Sequence, residues 1–149
     1  MKVTLRRAKK LDLEPIFQME QTSDTREYIT GYSMTEHEAA FAKSDIVYLT
    51  ISVGEALAGF FILVLDEVED SIEFRRVVVA PTYRGIGQQA ISEMERFCVE
   101  KLNRHRIWLD VFQDNTRAKY IYEKLGYRPK SEEFLGERKL LVYEKLLNF

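Results

Sequence analysis

Hydrophobic positions along the chain follow two spacings, and each spacing predicts a different kind of element. Continuous or alternating apolar runs rich in β-branched residues predict strands. These runs cover residues 3–8, 46–53, 56–65, 71–79, 106–112 and 140–147. Apolar residues three or four positions apart predict helices, at residues 11–19, 35–42, 91–102 and 118–125. The order of elements predicts one mixed α+β domain over residues 1–149, with about seven strands and about four helices.

Short local signals place the ends of several elements. Gly54 and Glu55 separate two predicted strands and predict a hairpin. Thr35 and Glu38 have the spacing of a capping box, which predicts that a short helix starts there. Gly126 predicts the end of the helix that precedes it.

The composition narrows the class of protein. Of 149 residues, 46% are apolar and 31% are charged, and the formal net charge is −2. Because this balance creates no overall positive field, we predict no nucleic-acid partner and no membrane partner. The first seven residues lack the apolar segment of a signal peptide, and Cys98 is the single cysteine, so we predict a cytoplasmic protein. The helical pattern around Cys98 predicts that its thiol packs in the core.

One segment joins a β-branched strand to an amphipathic helix through a basic, glycine-containing turn. It reads Val77-Val78-Val79-Ala80-Pro81-Thr82-Tyr83-Arg84-Gly85-Ile86-Gly87-Gln88-Gln89. The first turn of a helix leaves backbone N–H groups unpaired at the positive end of the helix dipole. Gly85 and Gly87 let the backbone approach a ligand closely, and Arg84 adds a fixed charge suited to phosphate. The segment therefore predicts a site for a phosphorylated ligand.

Two common phosphate-binding motifs fit this turn poorly. A Walker loop needs Gly-Lys followed by Ser or Thr, and the turn has neither. A dinucleotide fingerprint is formally present as Gly85-x-Gly87-x-x-Ala90, with Asp110 about twenty residues further on. Asp110 falls in the middle of a predicted strand, however, and too few residues follow Ala90 for the further βα units of that fold. A nucleotide-dependent oxidoreductase is therefore the weaker hypothesis.

Two motifs, in this order along the chain, resemble the GNAT family of acyl-CoA-dependent N-acetyltransferases. The first is Arg/Gln-x-x-Gly-x-Gly/Ala, which Arg84 and Gly87 match, whereas Gln89 stands where the family has Gly or Ala. The second is the family's C-terminal CoA-binding helix, here Asn115-x-x-Ala118-x-x-x-Tyr122-x-x-Leu125-Gly126-Tyr127. Residues 73–79 and 105–111 are most similar to the branch that includes ribosomal-protein N-terminal and polyamine acetyltransferases.

The resemblance implies a mixed, mostly antiparallel sheet, acetyl-CoA as acetyl donor, a primary amine as acceptor, and no metal. It leaves open whether the amine belongs to a protein N-terminus, a lysine, a polyamine or a small metabolite. A homodimer is a possible assembly. The alternative is a non-catalytic acyl-CoA-binding sensor, which the departure at Gln89 favours and the presence of Tyr122 opposes.

The resemblance also implies which residues hold the donor. Backbone N–H groups of Val77, Val78 and Val79 would contact the thioester carbonyl and the pantetheine, although valines in a strand are also ordinary core residues. Asn115 would contact the CoA, although asparagine is equally suited to a helix N-cap. The pyrophosphate would lie on the turn formed by Arg84, Gly85, Ile86, Gly87, Gln88 and Gln89.

For catalysis, the resemblance implies Tyr122 as the acid that protonates the departing thiolate, with a core aromatic as the alternative. Glu73 would take the proton of the amine through water, unless it is a strand carboxylate paired with Arg75 or Arg76. Tyr28 and Tyr32 lie in the segment expected to form one wall of the acceptor site, and the alternative is that they cover the core.

Overall fold

A computed structural model describes residues 2–22, 31–68, 70–83 and 85–148 of the protein. The strands are β1 (Val3–Arg7), β2 (Ile46–Val53), β3 (Ala56–Leu65), β4 (Ser71–Val79), β5 (Arg106–Phe112), β6 (Arg128–Leu135) and β7 (Arg138–Leu146). The helices are α1 (Leu13–Gln21), α2 (Met34–Phe41), α3 (Gly87–Glu100) and α4 (Thr116–Lys124), with short 3₁₀ turns at Lys10–Asp12 and Pro81–Tyr83.

The seven strands form one sheet in the order β1-β2-β3-β4-β5-β7-β6. Strands β4 and β5 run parallel, and the other neighbouring pairs run antiparallel. The prediction of a mixed, mostly antiparallel sheet is therefore confirmed. It also separates the fold from the parallel sheet on which the dinucleotide fingerprint depends.

Each face of the sheet buries its own hydrophobic core. On one face, α3 contributes apolar residues at helical spacing, and α4 packs beside it. Cys98 belongs to this core and is fully buried, as predicted, and burial raises the pKa of its thiol to about 12. On the other face, α1 and α2 cover a smaller core over β2, β3 and β4.

The predicted bounds of β2, β3, β4 and β5 agree with the structure, and two details differ. The capping box of α2 is formed by Ser33 and Glu36, not by Thr35 and Glu38. The Ser33 hydroxyl accepts from the Glu36 N–H at 3.1 Å, and the Glu36 carboxylate accepts from the Ser33 N–H at 2.8 Å. Strand β6 was not placed by the pattern, because all eight of its residues are exposed and no apolar alternation marks it.

A β-bulge divides β4 into two halves that face differently. Phe74 pairs with Leu63 and Arg76 pairs with Ile62, so Arg75 is one residue too many for the partner strand. Phe74 therefore lies in the α3–α4 core while Val78, four residues later, lies in the α1–α2 core. In a regular strand these two side chains would share a face.

The same region of β4 separates from β5. Pairing between the two strands extends from Ser71 opposite Arg106 to Glu73 opposite Trp108, and no described residue of β5 pairs with the rest of β4. On its other edge, β4 stays paired with β3 as far as Val79 opposite Gly59. A Cβ at Gly59 would lie 2.3 Å from the Val78 carbonyl oxygen, so only glycine permits this approach. The result is a gap between β4 and β5.

Candidate active site

Two backbone N–H groups of β4 point into this gap. The Ala80 N–H donates to the Ala58 carbonyl of β3 at 2.8 Å. Because peptide groups alternate in direction along a strand, those of Val78 also face β3, and those of Val77 and Val79 face the gap. The valine side chains pack in the cores. The core role and the donor role are therefore compatible, with Val77 and Val79 as the two N–H donors.

The glycine turn has the geometry of an anion site at the start of α3. Gly85 has φ +103°, a conformation that favours glycine, and Ile86 is buried as the N-cap without a side-chain cap. A Cβ at Gly87 would meet nothing within 4 Å, so backbone is open to a ligand there. Gln88 and Gln89 are exposed on the first turn of α3. Arg84, also predicted to bind the pyrophosphate, lies outside the described residues.

Tyr122 lies on α4, beside the gap. Its ring makes edge-on contacts with Phe74 of β4 and with Tyr127, each at 5.8 Å between ring centroids. Burial raises the pKa of the phenol to about 12, so the hydroxyl stays protonated at any working pH. The ring therefore packs as the structural alternative requires, and the hydroxyl remains a proton donor.

Asn115 is the N-cap of α4. Its side-chain oxygen accepts from the Ala118 N–H at 3.2 Å, which is the ordinary capping contact. This contact holds the start of the helix that carries Tyr122.

Three carboxylates share the sheet face opposite the α3–α4 core: Glu73 of β4 and Asp110 of β5 border the gap, and Glu133 lies two strands further along the sheet, on β6. Asp110 lies opposite Val142, and Glu133 lies opposite Leu140, two residues earlier in β7, so both point to one side. Partial burial raises the pKa of Asp110, the charges of Glu73 and Glu133 raise it further, and the Arg75 charge opposes this rise without cancelling it.

These carboxylates differ in their ion pairs. Glu73 accepts from Arg75 at 2.8 and 3.3 Å, so one of the two pairings considered from the sequence is present. Asp110 and Glu133 form no salt bridge with any described residue. Asp110 was considered from the sequence only as a ribose ligand. An acidic residue in the middle of a strand was the signal that could have placed it here.

Sequence reasoning missed a buried polar network beneath the same face. The Glu20 carboxylate, on α1, accepts from Arg76 of β4 at 2.5 Å and from the Tyr32 N–H at 2.8 Å. It also bonds to His37 Nε2 at 3.0 Å, and His37 Nδ1 bonds to the Tyr48 hydroxyl at 2.7 Å. Glu20 and His37 are almost completely buried. Glu20 continues the helical spacing of the buried apolar residues Leu13 and Ile16. A charged residue at such a position was the signal that could have indicated a buried polar network.

Tyr32 covers this network. The Arg76 guanidinium lies 4.5 Å from the centre of its ring, and His37 contacts the ring edge. The position of Tyr32 agrees with an aromatic that covers the core. Tyr28, the other tyrosine predicted for the acceptor wall, lies outside the described residues.

The network makes stability depend on pH. Burial raises the pKa of Glu20, but hydrogen bonds from His37, Tyr32 and Arg76 and the Arg76 charge outweigh it, so the folded pKa lies below the ordinary value of 4.5. A depressed carboxyl pKa stabilises the fold fully above the unfolded pKa, and this stabilisation is lost as pH falls through the folded pKa. Glu20→Gln should therefore lower the free energy of unfolding by about 3 kcal/mol at neutral pH.

Urea unfolding at a series of pH values tests this prediction. The difference between the wild type and Glu20→Gln should shrink as pH falls from 4.5 through the lower folded pKa of Glu20, because the carboxylate is protonated first in the unfolded chain and then in the folded protein. Glu14→Gln, on the exposed side of the same helix, is the control and should change stability little. A difference for Glu20→Gln that is unchanged over that range would contradict the assignment.

Comparison with known proteins shows the family and a similar fold. The model of the Acetyltransferase (GNAT) family matches residues 12–127. The Vibrio cholerae spermidine N-acetyltransferase in complex with CoA and spermine has a TM-score of 0.81 at 22% identity, over 97% of this chain and 95% of that one. The dodecameric form of that enzyme in an intermediate state has a TM-score of 0.77 at 21% identity, over 97% and 93%. No curated protein sequence is a significant match.

A divided β4–β5 pair, a glycine turn at the start of α3 and a tyrosine on α4 form the candidate site, and the chain belongs to the GNAT acetyltransferase family. The protein is an N-acetyltransferase that moves an acetyl group from acetyl-CoA to a primary amine. Within the described ranges, no helix is long and apolar enough to cross a membrane. Nor does the described part of the chain hold a group of three or more His, Cys, Asp or Glu placed for a metal ion.

Proposed function

We propose that the acceptor is an aliphatic amine with two or more protonated nitrogens, of the polyamine class. The observation that carries this proposal is the set of carboxylates Glu73, Asp110 and Glu133 on the sheet face opposite the α3–α4 core. Asp110 and Glu133 form no salt bridge with a described side chain, and the Arg75 charge offsets that of Asp110 only in part, so a substrate with several ammonium groups would supply the remaining positive charge. The V. cholerae enzyme with a similar fold binds spermine, which agrees with this acceptor class.

The proposed reaction is a direct transfer. The neutral amine nitrogen attacks the thioester carbonyl carbon, the new N–C bond forms, and the C–S bond breaks. Val77 and Val79 N–H groups hydrogen-bond the carbonyl oxygen as negative charge develops on it. The proton that the ammonium loses passes through water to a carboxylate. The departing thiolate takes the proton of the Tyr122 hydroxyl, and the second proton that the nitrogen loses as the amide forms passes through water to restore the Tyr122 hydroxyl.

Two carboxylates are candidates for the base. Glu73 was predicted for this role, and part of its charge is offset by Arg75. Asp110 forms no salt bridge with Arg75, and although the Arg75 charge opposes the rise, its pKa is still raised, which brings it closer to the pH at which a base works best. We therefore assign the proton-accepting role to Asp110 with Glu73 beside it.

The pKa of Tyr122 suits the acid role in these surroundings. The apolar environment that raises the pKa of the phenol also raises that of a thiol, as burial does for Cys98 in the adjacent core. A thiolate released beside Tyr122 is therefore more basic than it is in water, so the acid and the leaving group stay matched.

Release of free CoA thiol with a panel of acceptors tests the acceptor class. We expect spermidine to be a better acceptor than butylamine, lysine or a short peptide with a free N-terminus. Glu133→Gln should lower kcat/KM for spermidine by roughly tenfold to hundredfold, because one charged contact is lost. Glu132→Gln is the matched control, since Glu132 neighbours Glu133 but pairs with Lys139 at 2.9 Å.

Butylamine, with a single charge, should be affected much less by Glu133→Gln than spermidine is. Equal losses for both amines would contradict a contact with a second ammonium group. Failure of every amine to release thiol, with acetyl-CoA still bound, would favour the non-catalytic sensor.

A cytoplasmic location and a homodimer stay predictions, the second supported by the exposed edge strand β6.

A further inference from the structure

A second buried polar cluster lies behind the helix that carries Tyr122. It consists of Glu95 on α3, Tyr127 just after α4, and Lys145 on β7, and we refer to it as the Glu95 cluster. Lys145 Nζ donates to the two Glu95 carboxylate oxygens at 2.9 and 3.1 Å, and the Tyr127 hydroxyl donates to Glu95 at 2.9 Å. Glu95 is 4% exposed and Tyr127 is completely buried.

Such a cluster does little for stability by itself. Removing a carboxylate and an ammonium from water costs several kcal/mol, and their attraction often only repays that cost. Apolar side chains of similar size at these positions would fill the same space. The cluster does, however, join three elements at defined atoms, which apolar contacts do less specifically.

Two members of the cluster, Lys145 and Tyr127, also contact the end of α4. Lys145 Nζ also donates to the Leu125 carbonyl, the C-cap of α4, at 2.7 Å, where an ammonium group favours the helix dipole. The Tyr127 N–H donates to the Tyr122 carbonyl at 2.9 Å, and the Tyr127 ring forms one wall against the Tyr122 ring. Phe74 forms the other wall.

We propose that Glu95 and Lys145 are positioning residues for Tyr122, acting through the Tyr127 ring and the Leu125 carbonyl. This inference rests on the proposed role of Tyr122 as the acid. Glu95 fixes the Tyr127 hydroxyl and so the plane of the Tyr127 ring. Lys145 fixes the position of the last turn of α4 relative to β7. Together they set the position of the Tyr122 hydroxyl relative to the gap.

The placement matters because proton transfer is sensitive to distance. A displacement of about 1 Å between reacting groups can cost as much as hundredfold in rate. Loss of Lys145 keeps the ring of Tyr122 packed between Phe74 and Tyr127 but frees the end of its helix, so that the hydroxyl can shift relative to the gap. We expect Lys145→Met to lower kcat about tenfold while the Kd of acetyl-CoA changes less than about twofold.

A double-mutant cycle separates positioning from general stabilisation. Lys145→Met, Tyr122→Phe and the double variant are compared by kcat with acetyl-CoA and the best acceptor of the amine panel. If Lys145 acts through the Tyr122 hydroxyl, the double variant should be no slower than Tyr122→Phe alone. Lys145→Arg should recover part of the activity, and Lys101→Met, an exposed lysine at the end of α3, should change nothing.

Additive losses in the double variant would overturn the inference and leave the acid role intact. An unchanged kcat in Tyr122→Phe alone would instead overturn the acid role. If Lys145→Met does not fold, Tyr127→Phe replaces it in the cycle, because it removes only the hydroxyl that donates to Glu95. A loss for Tyr127→Phe that persists in full on the Tyr122→Phe background would equally overturn the inference.

Discussion

Replacement of Tyr122 by phenylalanine should lower kcat by roughly 10²–10⁴-fold, the usual contribution of a positioned acid. The ring contacts with Phe74 and Tyr127 do not involve the hydroxyl, so the fold should survive. The affinity for acetyl-CoA should change much less, because the proton is needed in the transition state and not in the ground state. Steady-state kinetics and calorimetric titration with acetyl-CoA measure the two effects separately.

Two controls make the result specific. Tyr120→Phe, on the exposed side of the same helix, should leave kcat unchanged. The melting temperature of Tyr122→Phe should match that of the wild type. Because the pKa of Tyr122 is raised to about 12, any alkaline fall in kcat well below that pH belongs to another group. An unchanged kcat in Tyr122→Phe would leave Tyr122 as a core aromatic only.

Replacement of Gly87 by valine should raise the Kd of acetyl-CoA about hundredfold, or about 2.7 kcal/mol. The new side chain would fill the open space next to the backbone of the first turn of α3. That space touches nothing else in the described fold, and the φ of Gly87 is not in the left-handed region, so stability should not fall.

A graded series strengthens this second test. Gly87→Ala should weaken binding less than Gly87→Val, since its side chain is smaller. Both variants should melt at or above the wild-type temperature, because glycine is a poor helix residue. Calorimetry that finds the same affinity in Gly87→Val as in the wild type would remove the turn from the donor site.

Much of the site could be predicted from the sequence because its signals are local. Three signals carry the prediction: the valine run, the glycine turn and the helical motif that contains Tyr122. Each of them is formed by residues that are close together along the chain. Local spacing decides whether a helix N-terminus is open or capped and which side chains share a helix face. The order of the two motifs then gave the resemblance to the GNAT family.

Other parts of the site are assembled from distant segments. Asp110 and Glu133 come near enough for their charges to interact only because β7 pairs with both β5 and β6. Glu20 meets Arg76 across 56 residues of chain, and Glu95 meets Lys145 across 50. No periodicity in the chain encodes such pairs, because each depends on which elements become neighbours in the fold.

By itself, the sequence determined every element except strand β6, their order and the glycine turn at the start of α3, because hydrophobic spacing and glycine positions act over one or two turns. Only the tertiary structure decided which residues face the gap. A single extra residue at Arg75 reverses the faces of β4, and this reversal brings Arg76 to Glu20, while the backbone N–H groups of Val77 and Val79 face the gap. A bulge of one residue leaves almost no trace in a run of apolar and basic residues, yet it sets the direction of every side chain that follows it in the strand.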